Sequence, residues 1–148
     1  MSVLAENRKA RFDYAISETL EAGVELFGFE VKSAKAGKMQ LPGSYVIIRG
    51  GEAYLVNCTI PAFQPKNAPP DYNPSRARKV LLHKEEIARL AGFLENKNYL
   101  LPLNAHLKRG LVKLELGLGT HRKKSDKREV IKKRAHQREM RGAGEATL

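Results

Sequence analysis

Few residues in this chain are placed for covalent chemistry. Histidines stand at 83, 106, 121 and 136, and none has ligand spacing to another histidine or to Cys58. Zinc sites need such clusters, so no metal is expected. Ser44, Ser75 and Ser125 lack the surroundings of a nucleophile motif. Gly117-Leu118-Gly119 is too short for a phosphate loop. No cofactor is expected, and the chain is read as a protein without enzymatic activity. What the sequence does concentrate is positive charge. Asn7-Arg8-Lys9-Ala10-Arg11 precedes Phe12 and Tyr14, Arg76-Ala77-Arg78-Lys79 leaves a proline-rich stretch, and a third cluster fills the C-terminal segment. Lys and Arg neutralise phosphates and release counterions, and Arg adds paired hydrogen bonds. Each cluster alone also fits a solvated face. Three of them in a chain of net charge +11 favour RNA or single-stranded nucleic acid.

The charge is unevenly spread. Residues 120–141 carry ten Lys and Arg against three Asp and Glu, and their only large apolar residues are Val130, Ile131 and Met140. That is too little to bury, so the segment is expected to be mobile when free. Its residue types favour a helix once an anionic surface is met. The plainer alternative is a solvated basic terminus that aids solubility. The chain therefore divides into a folded domain, 1–119, and a basic tail, 120–148. At 148 residues and 42% hydrophobic content, the body can form one core. No window approaches the ~18 apolar residues of a membrane span, and residues 1–14 lack a signal peptide's apolar run. One cysteine suits a reducing cytosol, so a cytoplasmic, monomeric protein with no membrane association is expected.

The elements that must position these residues follow from pattern. Glu30 to Lys38 reads as a short helix with a basic outer face, ended by Gly37. Ser44–Arg49 and Glu52–Asn57 flank Gly50-Gly51, a strong hairpin signal. Five prolines make 61–78 a loop. Lys79–Leu82 is a short strand. His83–Asn98 is a helix with Ile87, Leu90, Ala91 and Leu94 on one stripe. Tyr99–Leu107 and Leu111–Leu118 form a second hairpin across Lys108-Arg109-Gly110. In its second strand Val112, Leu114, Leu116 and Leu118 face inward, and Lys113 and Glu115 outward. His106 is expected at a strand edge and Cys58 in the core. The fold class is mainly β (α+β), an antiparallel barrel of the oligonucleotide-binding type with a few short helices.

In this order the residues resemble a known family. Glu21-Ala22-Gly23, Gly28-Phe29-Glu30-Val31-Lys32-Ser33, Arg76-Ala77-Arg78-Lys79-Val80-Leu81-Leu82 and Asp126-Lys127-Arg128 together are similar to small protein B, which binds transfer-messenger RNA in bacterial trans-translation. The resemblance implies that the barrel grips the tRNA-like domain of that RNA. It implies that the tail enters the decoding centre and empty messenger channel of a stalled ribosome, against the small subunit and its 16S rRNA. Tagging of the incomplete chain for degradation follows. Alanyl-tRNA synthetase and elongation factor Tu are implied as indirect partners.

Carried over position by position, the RNA surface includes Glu21, Leu81 and Lys113, with Arg11, Arg78 and Lys79 as basic neighbours. A carboxylate at Glu21 would accept from base edges or a 2′-OH, or hold an Arg. Leu81 by pattern alone reads as core. In the tail, Arg122 and Lys123 match two basic positions, and Asp126, Lys127 and Arg128 a triplet. Asp126 would suit an N-cap. Three positions depart from the family: His121 replaces a glycine, with Gly119 as a source of flexibility nearby; Ser125 replaces an aromatic or His; Phe12 replaces a frequent His. A ribosomal protein with a threaded basic extension fits the bulk composition equally well, and nothing points to a metal-free nuclease.

Overall fold

The computed structural model describes residues 2–123 together with 127, 128, 131, 132 and 134. The elements are β1 (Ser2–Glu6), α1 (Arg8–Asp13), β2 (Tyr14–Val24), α2 (Gly28–Lys35), β3 (Tyr45–Arg49), β4 (Glu52–Val56), β5 (Arg78–Leu81), α3 (Lys84–Leu94), β6 (Asn98–Lys108) and β7 (Leu111–His121). A single 3-10 turn, Pro65–Asn67, interrupts the proline-rich loop. The ring runs β6-β3-β4-β5-β2-β7, and β6 pairs with β7 to close it. Every pairing is antiparallel. β1 pairs with residues 104–107 of β6, while β3 meets β6 at Leu100. The expected antiparallel barrel is present, with three short helices around it.

Local chemistry accounts for the joints. Gly50 and Gly51 take φ of 58° and 76°, as a two-residue hairpin with the strands' own twist requires. Arg109 and Gly110 do the same between β6 and β7. Asn7 caps α1 by accepting from Ala10 N–H at 3.1 Å, and its amide donates to Pro102 O at 2.8 Å. α1 is thereby pinned to β6. α2 stops at Gly37, whose N–H reaches Ala34 O. α3 is shorter than the predicted 83–98. Lys97 turns left-handed at φ 60°, and Asn98 donates to Phe93 O at 3.0 Å, so the chain breaks into β6. The predicted stripe is otherwise seen: Leu90 is fully buried and Ile87 nearly so.

The core fills the barrel with Val46, Leu55, Val80, Leu100, Leu114 and Leu116, and Cys58 lies among them. Burial pushes the Cys58 thiol up to about 11, which leaves it an inert small hydrophobe.

One ionic group sits where apolar packing would be expected. Glu30 and Arg78 are both wholly buried. Arg78 Nε donates to Glu30 Oε2 at 2.8 Å, and its Nη2 lies 2.6 Å from the same oxygen. Arg78 also donates to Cys58 O at 2.7 Å, Arg76 O at 3.0 Å and Pro74 O at 2.8 Å. Its Nη2 reaches the Tyr72 hydroxyl, so every guanidinium donor has an acceptor. Glu30 is just as saturated. It accepts from Arg76 through both oxygens, at 2.6 and 3.2 Å, and from Phe27 N–H at 2.7 Å. Burial alone would raise the Glu30 carboxyl; donation from Arg76, Phe27 N–H, Arg78 and Tyr72 overcomes this and holds it below the usual range.

Four expectations change here. Arg78 was expected as a basic RNA neighbour; its side chain is enclosed and fully bonded, so it cannot reach an RNA. His106 was expected at a strand edge; it is buried, with β1 on one side and β7 on the other. Gly119 was expected to give the tail flexibility. It is instead a ladder residue of β7, opposite Ile16 and Tyr99, and a Cβ there would lie 2.6 Å from Ala15 O. Its bare backbone serves close strand approach. The division after residue 119 also falls inside β7, which continues through Thr120 and His121.

Removing one partner of the buried pair should be costly. Arg78→Ala is expected to lose about 3–5 kcal/mol of unfolding free energy in a urea titration, because Glu30 keeps its charge without its fully buried counter-ion; a loss under about 1 kcal/mol would contradict the buried geometry. The Glu30 carboxylate, which ionises more readily in the fold than in the unfolded chain, stabilises the fold above the unfolded carboxyl range, and this contribution is lost as pH falls through the folded value. The urea midpoint should therefore drop in acid, and Glu30→Gln should flatten that limb. Gly119→Ala should cost about 1–3 kcal/mol in the same titration by forcing β2 from β7; an unchanged midpoint would mean the strands yield freely.

Candidate nucleic-acid interface

The outer face of the barrel is built by alternation. In β7, Val112, Leu114, Leu116 and Leu118 are buried, which turns Lys113 and Glu115 outward. Register then places Lys113 opposite Gly23 of β2, and Gly23 opposite Leu81 of β5. Glu21 lies opposite Glu115, one outward position along β2. Glu21, Lys113 and Leu81 are thus brought to one face of three adjacent strands. Gly23 lies at the centre of this arrangement; the Ala22-Gly23 pair reads in the sequence as a turn signal, but Gly23 is a ladder residue of β2. A Cβ there would meet Leu81 Cδ1 at 3.3 Å and Lys113 Nζ at 3.6 Å. Without it the leucine and the lysine close over bare backbone from either side.

Leu81 is 48% exposed, at an outward position of β5. With Phe27 and Leu111, also exposed, it lines a groove of about 510 Å³ bordered by Arg76 and Lys113. The Arg76 guanidinium sits 4.1 Å over the Phe27 ring. Lys79 is outward on β5, half-exposed and 3.4 Å from Glu52.

Beside the groove a polar chain surrounds Glu21. Its Oε1 accepts from Lys108 Nζ at 3.2 Å, and its Oε2 lies 3.3 Å from His106 Nε2. The Lys108 bond, helped by His106 against partial desolvation, holds the Glu21 carboxyl below its ordinary value. His106 Nδ1 faces Asn104 Oδ1 at 2.9 Å, and Asn104 Nδ2 donates to Glu115 Oε2 at 2.7 Å. Arg11, half-exposed on α1, stands 3.6 Å from the other Glu115 oxygen. Asn104, His106 and Lys108 occupy alternate positions of β6, so their shared face was available from the strand pattern. Their link to Glu21 was not.

The tail residues gather at a different place. Arg122 N–H donates to Asp13 O at 2.8 Å. Lys127 and Arg128 are helical, as are Ile131, Lys132 and Arg134. Lys127 Nζ lies 3.1 Å from Asp13 Oδ1, and Lys127 and Arg134 each stand 5.9 Å from the Phe12 ring centre. Lys123 and Arg128 are exposed, and Arg122 is half-buried. Asp126 and Ser125 lie outside the described residues. The sequence-derived residues thus fall into two groups, Glu21, Leu81 and Lys113 on the barrel wall and the tail residues beside α1.

Known proteins resemble this chain over nearly its whole length. A family model described as SmpB protein matches residues 4–145. An SsrA-binding protein of Synechococcus elongatus is 46% identical over 144 residues, covering 97% of this chain and 94% of its own length. One of Alkalilimnicola ehrlichii is 48% identical over 139 residues, covering 93% and 87%. A solved structure titled "tmRNA-SmpB: a journey to the center of the bacterial ribosome" superposes with TM-score 0.68 at 42% identity, covering 88% of this chain and 95% of that one. Identity of this depth across nearly the whole length, on the same barrel, establishes that the chain belongs to the SmpB protein family.

Proposed function

We propose that this chain is an RNA-binding adaptor of trans-translation, without catalytic activity of its own. Its barrel binds the tRNA-like domain of transfer-messenger RNA, and its basic tail occupies the decoding centre and empty messenger channel of a stalled ribosome. The observation that carries the reading is the face on which Lys113, Leu81 and Glu21 meet across Gly23. Each supplies a different kind of contact. The ammonium neutralises a phosphate. The exposed leucine offers an apolar seat to an unstacked base. The carboxylate accepts from a 2′-OH or a base amine, which phosphate-binding cations cannot do. The relatives named for SsrA binding and the ribosome-bound structural neighbour support the same partners. Arg122, Lys123, Asp126, Lys127 and Arg128 are assigned to the ribosome rather than to the barrel's RNA. No helix among the described residues is long and apolar enough to cross a membrane.

Titration against transfer-messenger RNA, with bulk tRNA as competitor and at two salt concentrations, tests the barrel. Lys113→Ala should weaken binding and reduce the salt slope by about one counterion. Leu81→Ala should weaken binding and leave the slope unchanged. Normal affinity in a Glu21→Ala, Leu81→Ala double variant would remove the surface assignment. Truncation after Lys123 keeps β7 whole. It should preserve selective RNA binding and abolish tagging on stalled ribosomes; full tagging would reject the tail's role, and loss of all selectivity would mark the chain as a general polycation. Stoichiometric presence on every ribosome would favour a resident ribosomal protein instead.

A further inference from the structure

Glu21 is held by a chain of hydrogen bonds whose direction can be deduced from one end. Ionised Glu115 only accepts, and Arg11 stands 3.6 Å from its other oxygen. Asn104 lies 2.7 Å from Glu115 Oε2, so its NH₂ group must point there. Its Oδ1 is then turned to His106 Nδ1 at 2.9 Å, and this nitrogen must carry a proton. On the other side of the ring, Nε2 faces Glu21 Oε2 at 3.3 Å, a second group that only accepts. Filling both contacts takes a proton on each ring nitrogen. The His106 side chain is 5% exposed, so water is a poor substitute for either partner.

We infer that His106 is a positioning residue for Glu21: doubly protonated and oriented from Glu115 through Asn104, it fixes the carboxylate's direction on the RNA-binding face. The inference rests on the RNA-binding reading proposed above. The remaining neighbours are one apolar residue and two lysines. Val3 of β1 faces His106 and brings no charge. Lys113 of β7 lies opposite His106 in register, and its positive charge opposes the second ring proton, which the two acceptors must outweigh. Lys108, from the same strand as His106, holds Glu21 Oε1, but its side chain is half-exposed and flexible. The buried ring is the rigid contact. With Oε2 tied to the ring and Oε1 to Lys108, the free lone pairs of Glu21 are left for donors on an RNA. Two cations against one carboxylate also lessen the repulsion Glu21 would exert on phosphates.

Two measurements on the full chain test this separately. Ring ¹⁵N NMR of the free protein reads His106 directly. The expected result is a proton on both nitrogens at neutral pH, a signature that Glu21→Gln and Asn104→Leu each weaken; a ring with one proton in the unaltered protein would overturn the inference whatever the RNA does. Transfer-messenger RNA titration reads the consequence. His106→Phe should weaken binding roughly three- to tenfold, the range of one net hydrogen bond. His106→Gln, which keeps a donor toward Glu21, should recover most of that loss. In a Glu21→Ala background, His106→Phe should add nothing. Losses that simply multiply would show that His106 does not act through Glu21 and would overturn its role. Should His106→Phe fail to fold, Asn104→Leu takes its place in the same cycle. Normal RNA binding by Glu21→Ala alone would end the RNA-face reading and the positioning role with it, while the NMR result would still stand on the bonding of the ring.

Discussion

The Glu30–Arg78 pair sets the phase of β5, and the outer face depends on that phase. A strand alternates its side chains, so burying Arg78 also buries Val80 and turns Lys79 and Leu81 outward. A shift by one residue would bury Leu81 and Lys79 and expose the arginine. Apolar content alone does not choose between these, because Val80, Leu81 and Leu82 are all good core residues. The choice is made by the acceptors gathered around Arg78: Glu30, Cys58 O, Pro74 O and Arg76 O. They come from α2, the end of the β4 segment and the proline-rich loop. A buried ion pair is weak evidence for net stability, since desolvation offsets much of its attraction. Its contribution here is to specify: one register satisfies all five guanidinium donors.

This explains which parts of the fold were legible in the sequence. The β3–β4 hairpin, the α3 stripe and the alternation of β7 are local patterns, and local patterns carry their own turn and period signals. Arg78 carries none. Beside Arg76 and Lys79 it looks like one more surface cation, and only a carboxylate 48 positions away shows otherwise. β2 was illegible for a related reason. Its outward residues are mixed in type, and only Ala22, Gly23 and Val24 at its end are buried. α1 depends on Asn7, which caps it at Ala10 and also bonds Pro102 O, 95 positions away in sequence. The site divides in the same way. Lys113 pointing outward followed from alternation. The exposure of Leu81, the gap at Gly23 and the burial of His106 each needed a partner strand that the sequence does not put nearby.

The net charge of +11 suggests a surface that binds any polyanion, yet the barrel's candidate face is not built that way. It holds two carboxylates, Glu21 and Glu115, opposite one another in register. Each is held by groups that are themselves committed: Lys108 and His106 to one, Arg11 to the other. Of the three barrel-wall residues in the proposal, only Lys113 brings positive charge. Such a face gains little from bare phosphate density and more from an RNA that offers donors at fixed positions. The segment 120–141 has the opposite composition, ten basic residues to three acidic, and suits attraction along a phosphate-rich channel. On the proposed function this division has a physical reason. Selecting one RNA among many of equal charge requires contacts that charge cannot supply, whereas occupying a channel of ribosomal RNA requires mainly charge. Placing the carboxylates on the rigid barrel and the cations on the tail keeps the second task from eroding the first.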